Sequence, residues 1–191
     1  MTGQRDILIR IAGLLEEYEL PYLLTGSFAV SYYGFPRATH DIDFVIEIHL
    51  PGAQKMLRVL QRLGRGFDYD ERTVVRAIER SGHFDVIHSH SGVKIDFWVR
   101  KPNEFERNKF KRSRIMKIGK KNITAVSAED LVLTKLVWCK EIRSERHLRD
   151  CAGIISTQQE ELDWTYLNRW AKTLGVGELL AEAKASEYSN Y

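Results

Sequence analysis

Two aspartates in one apolar segment constrain the fold of this chain most. Residues 41–48 alternate polar side chains with apolar, largely β-branched ones, which is the pattern of a half-buried β-strand. Because successive side chains of a strand point to opposite faces, Asp41 and Asp43 leave the same face of the sheet. Ile42 and Phe44 take the other face. We therefore expect a sheet with one apolar face and one acidic face.

The segments around this strand predict further strands of the same sheet. Residues 22–25 form a short buried strand that breaks at Gly26-Ser27 and continues into a helix over residues 28–33. Downstream, strands over 84–88 and 93–99 are joined by a short polar turn, as in a hairpin. Alternation in the second of these strands places Asp96 opposite its apolar neighbours. If the strands are adjacent, three carboxylates converge on one face.

Helical signals dominate the rest of the chain. Apolar spacing predicts helices over 5–18, 51–63 and 71–80, and nearly every segment after the capping residue Ser127 is predicted to be helical. A chain of 191 residues suffices for one domain or two small ones. We predict an α/β (α+β) domain over residues 1–126, with a small mixed sheet and helices, and a helical C-terminal subdomain over residues 127–191.

Charge is distributed unevenly along the sequence. The net charge is only +3, yet eight lysines and arginines and no acid fall within residues 107–121. Such an asymmetry favours a polyanionic partner such as RNA, and the alternative is a solvated basic connector with a turn at Gly119. Phe110 is the one aromatic residue in this segment, so we expect any RNA contact to involve the phosphate backbone rather than base stacking.

The remaining composition excludes several classes of protein. Two cysteines, Cys139 and Cys151, are too few for a disulfide framework and are expected to be reduced core thiols. Six histidines show no metal-ligand spacing and are predicted to be surface residues, with His88 in a turn. No segment has the apolar length of a membrane span or of a secretory signal, so the cytoplasm is the expected compartment and no membrane partner is expected.

The expected acidic face has a chemical consequence. Three carboxylates on one face repel one another unless cations neutralise them, and their hard oxygen atoms suit Mg²⁺ or Mn²⁺. Such a site can activate a hydroxyl and clamp a triphosphate during in-line displacement. Gly26-Ser27, at the start of a helix, offers backbone N–H groups and a hydroxyl to phosphate oxygens. Taken separately, an Asp-x-Asp pair is more often two surface acids and a Gly-Ser pair more often a turn.

The order and spacing of these motifs resemble a known superfamily. Leu24-Thr25-Gly26-Ser27, thirteen further residues and then Asp41-Ile42-Asp43-Phe44 resemble the signature of polymerase-β-like nucleotidyltransferases. The run from Arg37 to Asp43 is similar to the AbiEii-type branch, which includes toxins of toxin–antitoxin pairs. Two later segments, residues 127–136 and 146–150, resemble the helical half of that branch.

The resemblance implies roles for particular residues. Asp41 and Asp43 would be catalytic metal ligands, Asp96 the third carboxylate and base partner, and Gly26 with Ser27 the triphosphate cradle. Nucleotide contacts are expected from Lys135 and Asp150 in the helical half. The alternative for Lys135 is that its side chain reaches water at the helix edge, and the alternative for Asp150 is a salt bridge to Lys135 or Arg146. Arg37 precedes the acidic strand and either positions its entry or contacts a phosphate. Ser27 replaces a glycine common in relatives, and the bulky Phe28 follows it.

These residues predict an enzyme. We expect a Mg²⁺- or Mn²⁺-dependent nucleotidyltransferase that moves a nucleoside monophosphate from an NTP to a hydroxyl and releases pyrophosphate. By resemblance, the acceptor is a tRNA 3′ end or a protein side chain, and a toxin role with a cognate antitoxin is expected. The alternative is a nucleotide-binding or protein-interaction module of the same fold with little catalysis, which the bulky loop at Phe28 supports. Nucleotide-sugar glycosyl transfer is a weaker third hypothesis, because the Gly-Ser turn argues against it.

Overall fold

The computed structural model describes residues 3–186, and this part of the chain contains seven strands and nine α-helices. In chain order they are α1 (Gln4–Glu17), β1 (Tyr22–Thr25), α2 (Gly26–Tyr33), β2 (Asp41–Ile46), a 3₁₀ turn (Leu50–Gly52), α3 (Ala53–Leu63), β3 (Phe67–Asp68), α4 (Glu71–Glu79), β4 (His83–His88), β5 (Val93–Val99), α5 (Glu104–Lys111), β6 (Arg114–Ile118), β7 (Lys121–Ala125), α6 (Ala128–Glu141), α7 (Glu145–Gln158), α8 (Trp164–Leu174) and α9 (Gly177–Ala185).

The chain divides into two compact units. The first comprises the chain up to Phe28 together with Ala38–Ala125, and the second comprises Ala29–Arg37 together with the chain from Val126 onward. All seven strands belong to the first unit, and α6 to α9 belong to the second. Helix α2 begins in the first unit and ends in the second.

The first unit is built on one mixed sheet with the strand order β3-β4-β5-β2-β1-β7-β6. The pairs β2/β5 and β1/β7 are parallel, and the other pairs are antiparallel. On one face Phe84, Phe97 and Phe44 lie side by side, with ring centroids 5.0 and 5.7 Å apart. All three are fully buried, and a slip of one residue would turn them to the opposite face. This aromatic row therefore holds the register of β4, β5 and β2, and the predicted mixed sheet is confirmed.

Strand β2 is two residues shorter than its sequence pattern predicts. Its partner β1 starts at Tyr22, which lies opposite Ile46. The residue before Tyr22 is Pro21, which has no N–H group to continue the ladder. Strand β2 therefore ends at Ile46, opposite the first residue of β1, although its apolar alternation continues to Ile48.

The alternative of a basic connector over residues 107–121 is wrong, although the expected turn at Gly119 is present. This segment forms the end of α5, the edge strand β6 and the start of β7, with the hairpin turn at Gly119 at a φ of +63°. The apolar side chains of Met116 and Ile123 lie opposite each other and are buried, which is what orders the hairpin. Lys109 is also buried, and its ammonium lies 2.7 Å from the carboxylate of Glu106. The other basic side chains of the segment are exposed or half-exposed.

The second unit is a group of four packed helices. Ser127 caps α6 as its sequence predicts, because its hydroxyl accepts a hydrogen bond from the Asp130 N–H at 3.2 Å. The Tyr166 hydroxyl on α8 donates to the buried Asp130 carboxylate at 2.6 Å. Cys139 and Cys151 are buried and unbonded to each other, which agrees with the expected core thiols. Within residues 3–186, none of the helices combines the length and apolar character needed to cross a bilayer.

Candidate active site

Strand register brings the predicted acids together and adds one more. Asp96 on β5 lies directly opposite Asp43 on β2 and opposite Asp85 on β4. We call these three cross-strand neighbours the acid row. Asp41 lies two residues before Asp43 on β2, so it is on the same face as the acid row, and it lies opposite Lys94. The face opposite the buried aromatic row therefore carries four carboxylates on three adjacent strands.

Two basic side chains already contact the central carboxylate. The Lys94 ammonium lies 2.6 Å from Oδ1 of Asp96, and Nε2 of His83 lies 2.7 Å from the same oxygen. The hydrogen bond to Asp96 raises the pKa of Lys94 above its ordinary value, burial opposes that rise, and the negative charges of Asp85 and Asp41 add to it. The His83 ring also packs on Trp98, with centroids 4.4 Å apart. Asp96 is thus held from two sides.

Gly26 allows the first turn of α2 to approach the acidic face. Its φ is +63°, in the left-handed region that favours glycine, and a Cβ at this position would overlap the carboxylate of Asp43. Ser27 follows in the first turn of α2 and is buried. The predicted phosphate cradle and the predicted metal ligand Asp43 are therefore adjacent.

The entry to β2 is ordered by a local hydrogen-bonded turn. The Thr39 hydroxyl donates to the carbonyl of Asp41 at 3.2 Å and accepts from the Asp41 N–H at 3.3 Å. Thr39 therefore positions the backbone of Asp41. The Asp41 side chain is exposed, while Asp43 is partly exposed and Asp96 is buried.

The donor chemistry of this face suits a hard divalent cation, because its ligands are carboxylate oxygens. The missing side chain of Gly26 lets the backbone at the start of α2 lie directly against the Asp43 carboxylate. Across residues 3–186, no group of three or more His, Cys, Asp or Glu side chains is arranged so that it could hold a metal ion. In the conformation described, Asp96 is bonded to Lys94 and His83. The metal role of Asp41, Asp43 and Asp96 stays a prediction.

The other predicted site residues form a second cluster, inside the second unit. Asp150 on α7 accepts hydrogen bonds from Arg37 at 3.0 and 3.1 Å, and its Oδ2 lies 2.8 Å from the Lys135 ammonium. Lys135 and Asp150 are almost completely buried. Burial opposes ionisation of Asp150, but the charges and hydrogen bonds of Lys135 and Arg37 outweigh it and hold the pKa of Asp150 below its ordinary value. Two cations against one carboxylate leave this cluster net positive.

His147 lies near this cluster on α7. Burial, and after it the positive charge of Lys135, lowers the pKa of His147, and its Nδ1 is buried without a hydrogen-bond partner among the described residues. The imidazole is therefore neutral near pH 7. It packs against Trp138 at a centroid distance of 5.7 Å.

The sequence pattern missed two residues of the acidic face. Asp85 lies between the buried Phe84 and Val86, so alternation in β4 was the signal that places it opposite the core. The prediction that the histidines lie on the surface is wrong for His88, whereas His83 is partly exposed. His83 contacts Asp96, and His88 is a buried strand residue whose Nδ1 is 2.7 Å from the Ser91 hydroxyl.

Several solved structures share this architecture. The antibiotic-resistance factor ANT(2″)-Ia aligns with a TM-score of 0.60 and 12% identity over 95% of this chain and 93% of its own. A nucleotidyltransferase-like antigenic protein from Paracoccidioides brasiliensis aligns with a TM-score of 0.57 and 15% identity over 97% and 94%. The lincosamide antibiotic adenylyltransferase LnuA aligns with a TM-score of 0.51 and 16% identity over 78% and 95%. At these identities the likeness establishes the fold.

Sequence comparison identifies the family. No curated protein sequence matches the chain significantly. Residues 12–176 match the family model described as "Nucleotidyl transferase AbiEii toxin, Type IV TA system", where TA denotes toxin–antitoxin. This match spans most of the chain, including both clusters of site residues. The chain belongs to the AbiEii nucleotidyltransferase toxin family.

Proposed function

We propose that the protein is a divalent-metal-dependent nucleotidyltransferase that moves a nucleoside monophosphate from an NTP to a hydroxyl group and releases pyrophosphate. The observation that carries the proposal is the direct pairing of Asp43 with Asp96 across β2 and β5, with Gly26 held against Asp43. Membership of a nucleotidyltransferase family supports the transfer reaction. The metal, the acceptor and the biological role are parts of the proposal.

Each site residue has a task in this reaction. Asp41, Asp43 and Asp96 would hold Mg²⁺ or Mn²⁺, which lowers the pKa of an attacking hydroxyl and neutralises the triphosphate when it is bound. Asp96 accepts the proton of the acceptor hydroxyl. The backbone of Gly26 and the hydroxyl of Ser27 orient the phosphates at the start of α2. The acceptor oxygen bonds to the α-phosphorus in an in-line displacement. The bond from the α-phosphorus to the bridging oxygen of the β-phosphate breaks, and pyrophosphate leaves.

The second unit contains a basic cluster that would bind a phosphate group. Lys135 and Arg37 share one carboxylate, so their cluster retains a net positive charge that suits a phosphate group. Asp150 acts as a positioning residue, because it fixes both cations by direct hydrogen bonds. Lys135 could not remain buried as a charge without this partner.

The acceptor is proposed to be a tRNA 3′ end or a protein side chain. For RNA, the support is the exposed basic hairpin at Lys117, Lys120 and Lys121, which make no ion pair within the described part of the chain. Type IV toxin–antitoxin membership supports a toxin role and a cognate antitoxin. ANT(2″)-Ia has been solved with adenylyl-2″-tobramycin, so a small aminoglycoside belongs among the acceptors tested.

A second candidate function has a specific observation behind it. Lys94 and His83 both occupy the Asp96 carboxylate, and Phe28 follows the Gly26-Ser27 turn. These contacts favour a nucleotide-binding module of the same fold that performs little chemistry. Such a module binds NTP but releases no pyrophosphate.

Transfer of α-phosphate label separates the two candidates. Each labelled NTP is incubated with Mg²⁺ or Mn²⁺ and with total tRNA, cell protein or an aminoglycoside, using wild type, Asp43→Asn and Asp68→Asn. Asp68 is an exposed acid on the edge strand β3, so its variant matches the charge change away from the acid row. We expect label in one acceptor fraction and a loss of about 100-fold or more in Asp43→Asn alone.

The outcomes distinguish the candidates cleanly. Equal transfer by Asp43→Asn and wild type would refute the proposed site. Metal-dependent NTP binding without label in any acceptor fraction would favour the binding module. Arrest of cell growth on induced expression of wild type, but not of Asp43→Asn, would support the toxin role.

A further inference from the structure

Lys94 occupies a distinctive position among the four carboxylates of the acidic face. It precedes Asp96 by two residues on β5, so both side chains leave the same face of the strand. Its direct neighbours across the sheet are Asp41 on β2 and Ile87 on β4. The ammonium bonds to Asp96, and Asp85 and Asp41 are near enough for their charges to act on it.

The exposures of the two partners differ. The Asp96 side chain is 10% exposed, whereas the Lys94 side chain is 42% exposed. A buried carboxylate requires a cation or hydrogen-bond donors at all times. The lysine has a flexible four-carbon stem and can transfer its ammonium to water. His83 still contacts Asp96 when Lys94 leaves, but the negative charge of the buried carboxylate favours replacement of Lys94 by another cation.

We propose that Lys94 is the internal counter-ion of the acid row, and that its ammonium competes with a divalent cation for the carboxylate of Asp96. This inference rests on the proposed function, because it concerns the ion that the transfer reaction would use. Lys94 is a positioning residue that sets the affinity of the site for metal. A triphosphate would add oxygen ligands to the ion, so bound NTP would strengthen the competition of the metal with Lys94 for Asp96.

A different role for Lys94 makes different predictions. A lysine that binds a phosphate of the NTP contributes to nucleotide affinity and leaves metal affinity in the absence of nucleotide unchanged. A counter-ion has the reverse signature: its removal strengthens metal binding without any nucleotide. Binding of Mn²⁺ alone to the purified protein therefore separates the two roles.

The test is a Mn²⁺ titration without nucleotide, followed by the electron paramagnetic resonance signal of the free ion. Lys94→Met removes the ammonium and keeps the apolar stem, and Lys94→Arg keeps the positive charge. Lys117→Met is the matched control, because β6 lies four strands from β5, about 19 Å at the usual strand spacing. We expect Lys94→Met to bind Mn²⁺ about tenfold more tightly than wild type, with the other two variants close to wild type. Adding Asp43→Asn to Lys94→Met should abolish the gain.

A melting experiment gives a second readout that needs no activity. Without divalent ions, Lys94→Met should have a lower melting temperature than wild type and Lys117→Met, and Mg²⁺ should raise it by more than it raises that of wild type. Equal or weaker Mn²⁺ binding by Lys94→Met, or no binding by either protein, overturns the inference. If Lys94→Met does not fold, Lys94→Gln replaces it in both measurements. Neither readout depends on transfer, so loss of the proposed function and loss of this inference are distinguishable.

Discussion

At the scale of single residues, Gly26 controls how closely the start of α2 approaches Asp43. Its φ of +63° disfavours any side chain, and a Cβ would overlap the Asp43 carboxylate. We predict that Gly26→Ala lowers the transfer rate by about 100-fold, because misplacing a reacting group by about 1 Å has that effect. The free energy of unfolding should fall by about 1–2 kcal/mol from backbone strain.

Gly92 provides a matched control for this substitution. It has a similar φ of +68°, but a Cβ there would lie in open space. Gly92→Ala should therefore lose only the stability that backbone strain removes, less than Gly26→Ala loses in urea unfolding, and keep its transfer rate. Similar transfer rates for the two variants would show that the contact with Asp43 has no functional role.

Residue alternation predicted that Asp41 and Asp43 share one face, and that Asp96 joins them if its strand is a neighbour, which the pairing of β2 with β5 confirms. It was not enough to find the contacts of Asp96. The pairing of Asp85 and the bond from His83 depend on the register between β4 and β5. The bond from Lys94 depends on a side-chain conformation as well. Contacts of this kind are set by tertiary packing rather than by local sequence.

At the scale of elements, the Asp150 carboxylate connects α7 to α6 and to the segment after α2. It bonds to Lys135 on α6 and to Arg37, and burial leaves it little access to water. Its pKa is lower in the folded protein than in the unfolded chain. The resulting stability is present above the unfolded pKa and is lost as the pH falls through the folded pKa.

We predict that Asp150→Asn lowers the free energy of unfolding by about 3 kcal/mol at pH 7, because it leaves two cations without a charged partner. The difference from wild type should shrink below about pH 4, where the Asp150 carboxyl of the unfolded chain becomes protonated, and should vanish as the pH falls through the lower pKa of the folded protein. Urea unfolding at pH 7, 5, 4 and 3 measures it. Glu160→Gln, an exposed substitution, should show no such change. A difference that stayed constant with pH would contradict the charge assignment.

Strong periodicity made several elements predictable. Strands β1 and β5 have the predicted bounds, and α4 ends one residue earlier than predicted. The sequence analysis missed the hairpin of β6 and β7. Buried and exposed residues alternate there, but charged side chains obscure the pattern, and at the centre of the hairpin only Met116 and Ile123 are fully buried. The two-residue strand β3 is too short to give any sequence signal; its pairing with β4 alone defines it.

At the scale of the whole molecule, proteins with very different sequences share this fold. ANT(2″)-Ia and this chain align over almost their full lengths at 12% identity. The residues of the aromatic row and of the acid row are neighbours in sequence on the same three strands and point to opposite faces. The strand register that core packing sets therefore also sets the positions of the acids. A short motif could therefore predict the architecture, whereas the acceptor depends on surface residues that the fold does not constrain.

The charge pattern of the molecule predicts how an RNA acceptor would respond to salt. The exposed residues Lys117, Lys120 and Lys121 cluster at the β6–β7 hairpin, although the chain has a net charge of only +3. Each phosphate contact contributes about 0.7–0.9 to the slope of log affinity against log salt. Replacing all three lysines by glutamine should raise the KM for tRNA and reduce that slope by about 2, while the KM for NTP stays unchanged. A variant with glutamine at the exposed positions Arg65, Arg80 and Lys101 removes the same charge elsewhere and should leave the slope at the wild-type value. An equal slope in both variants would exclude the hairpin as an RNA contact and favour a protein side chain as the acceptor.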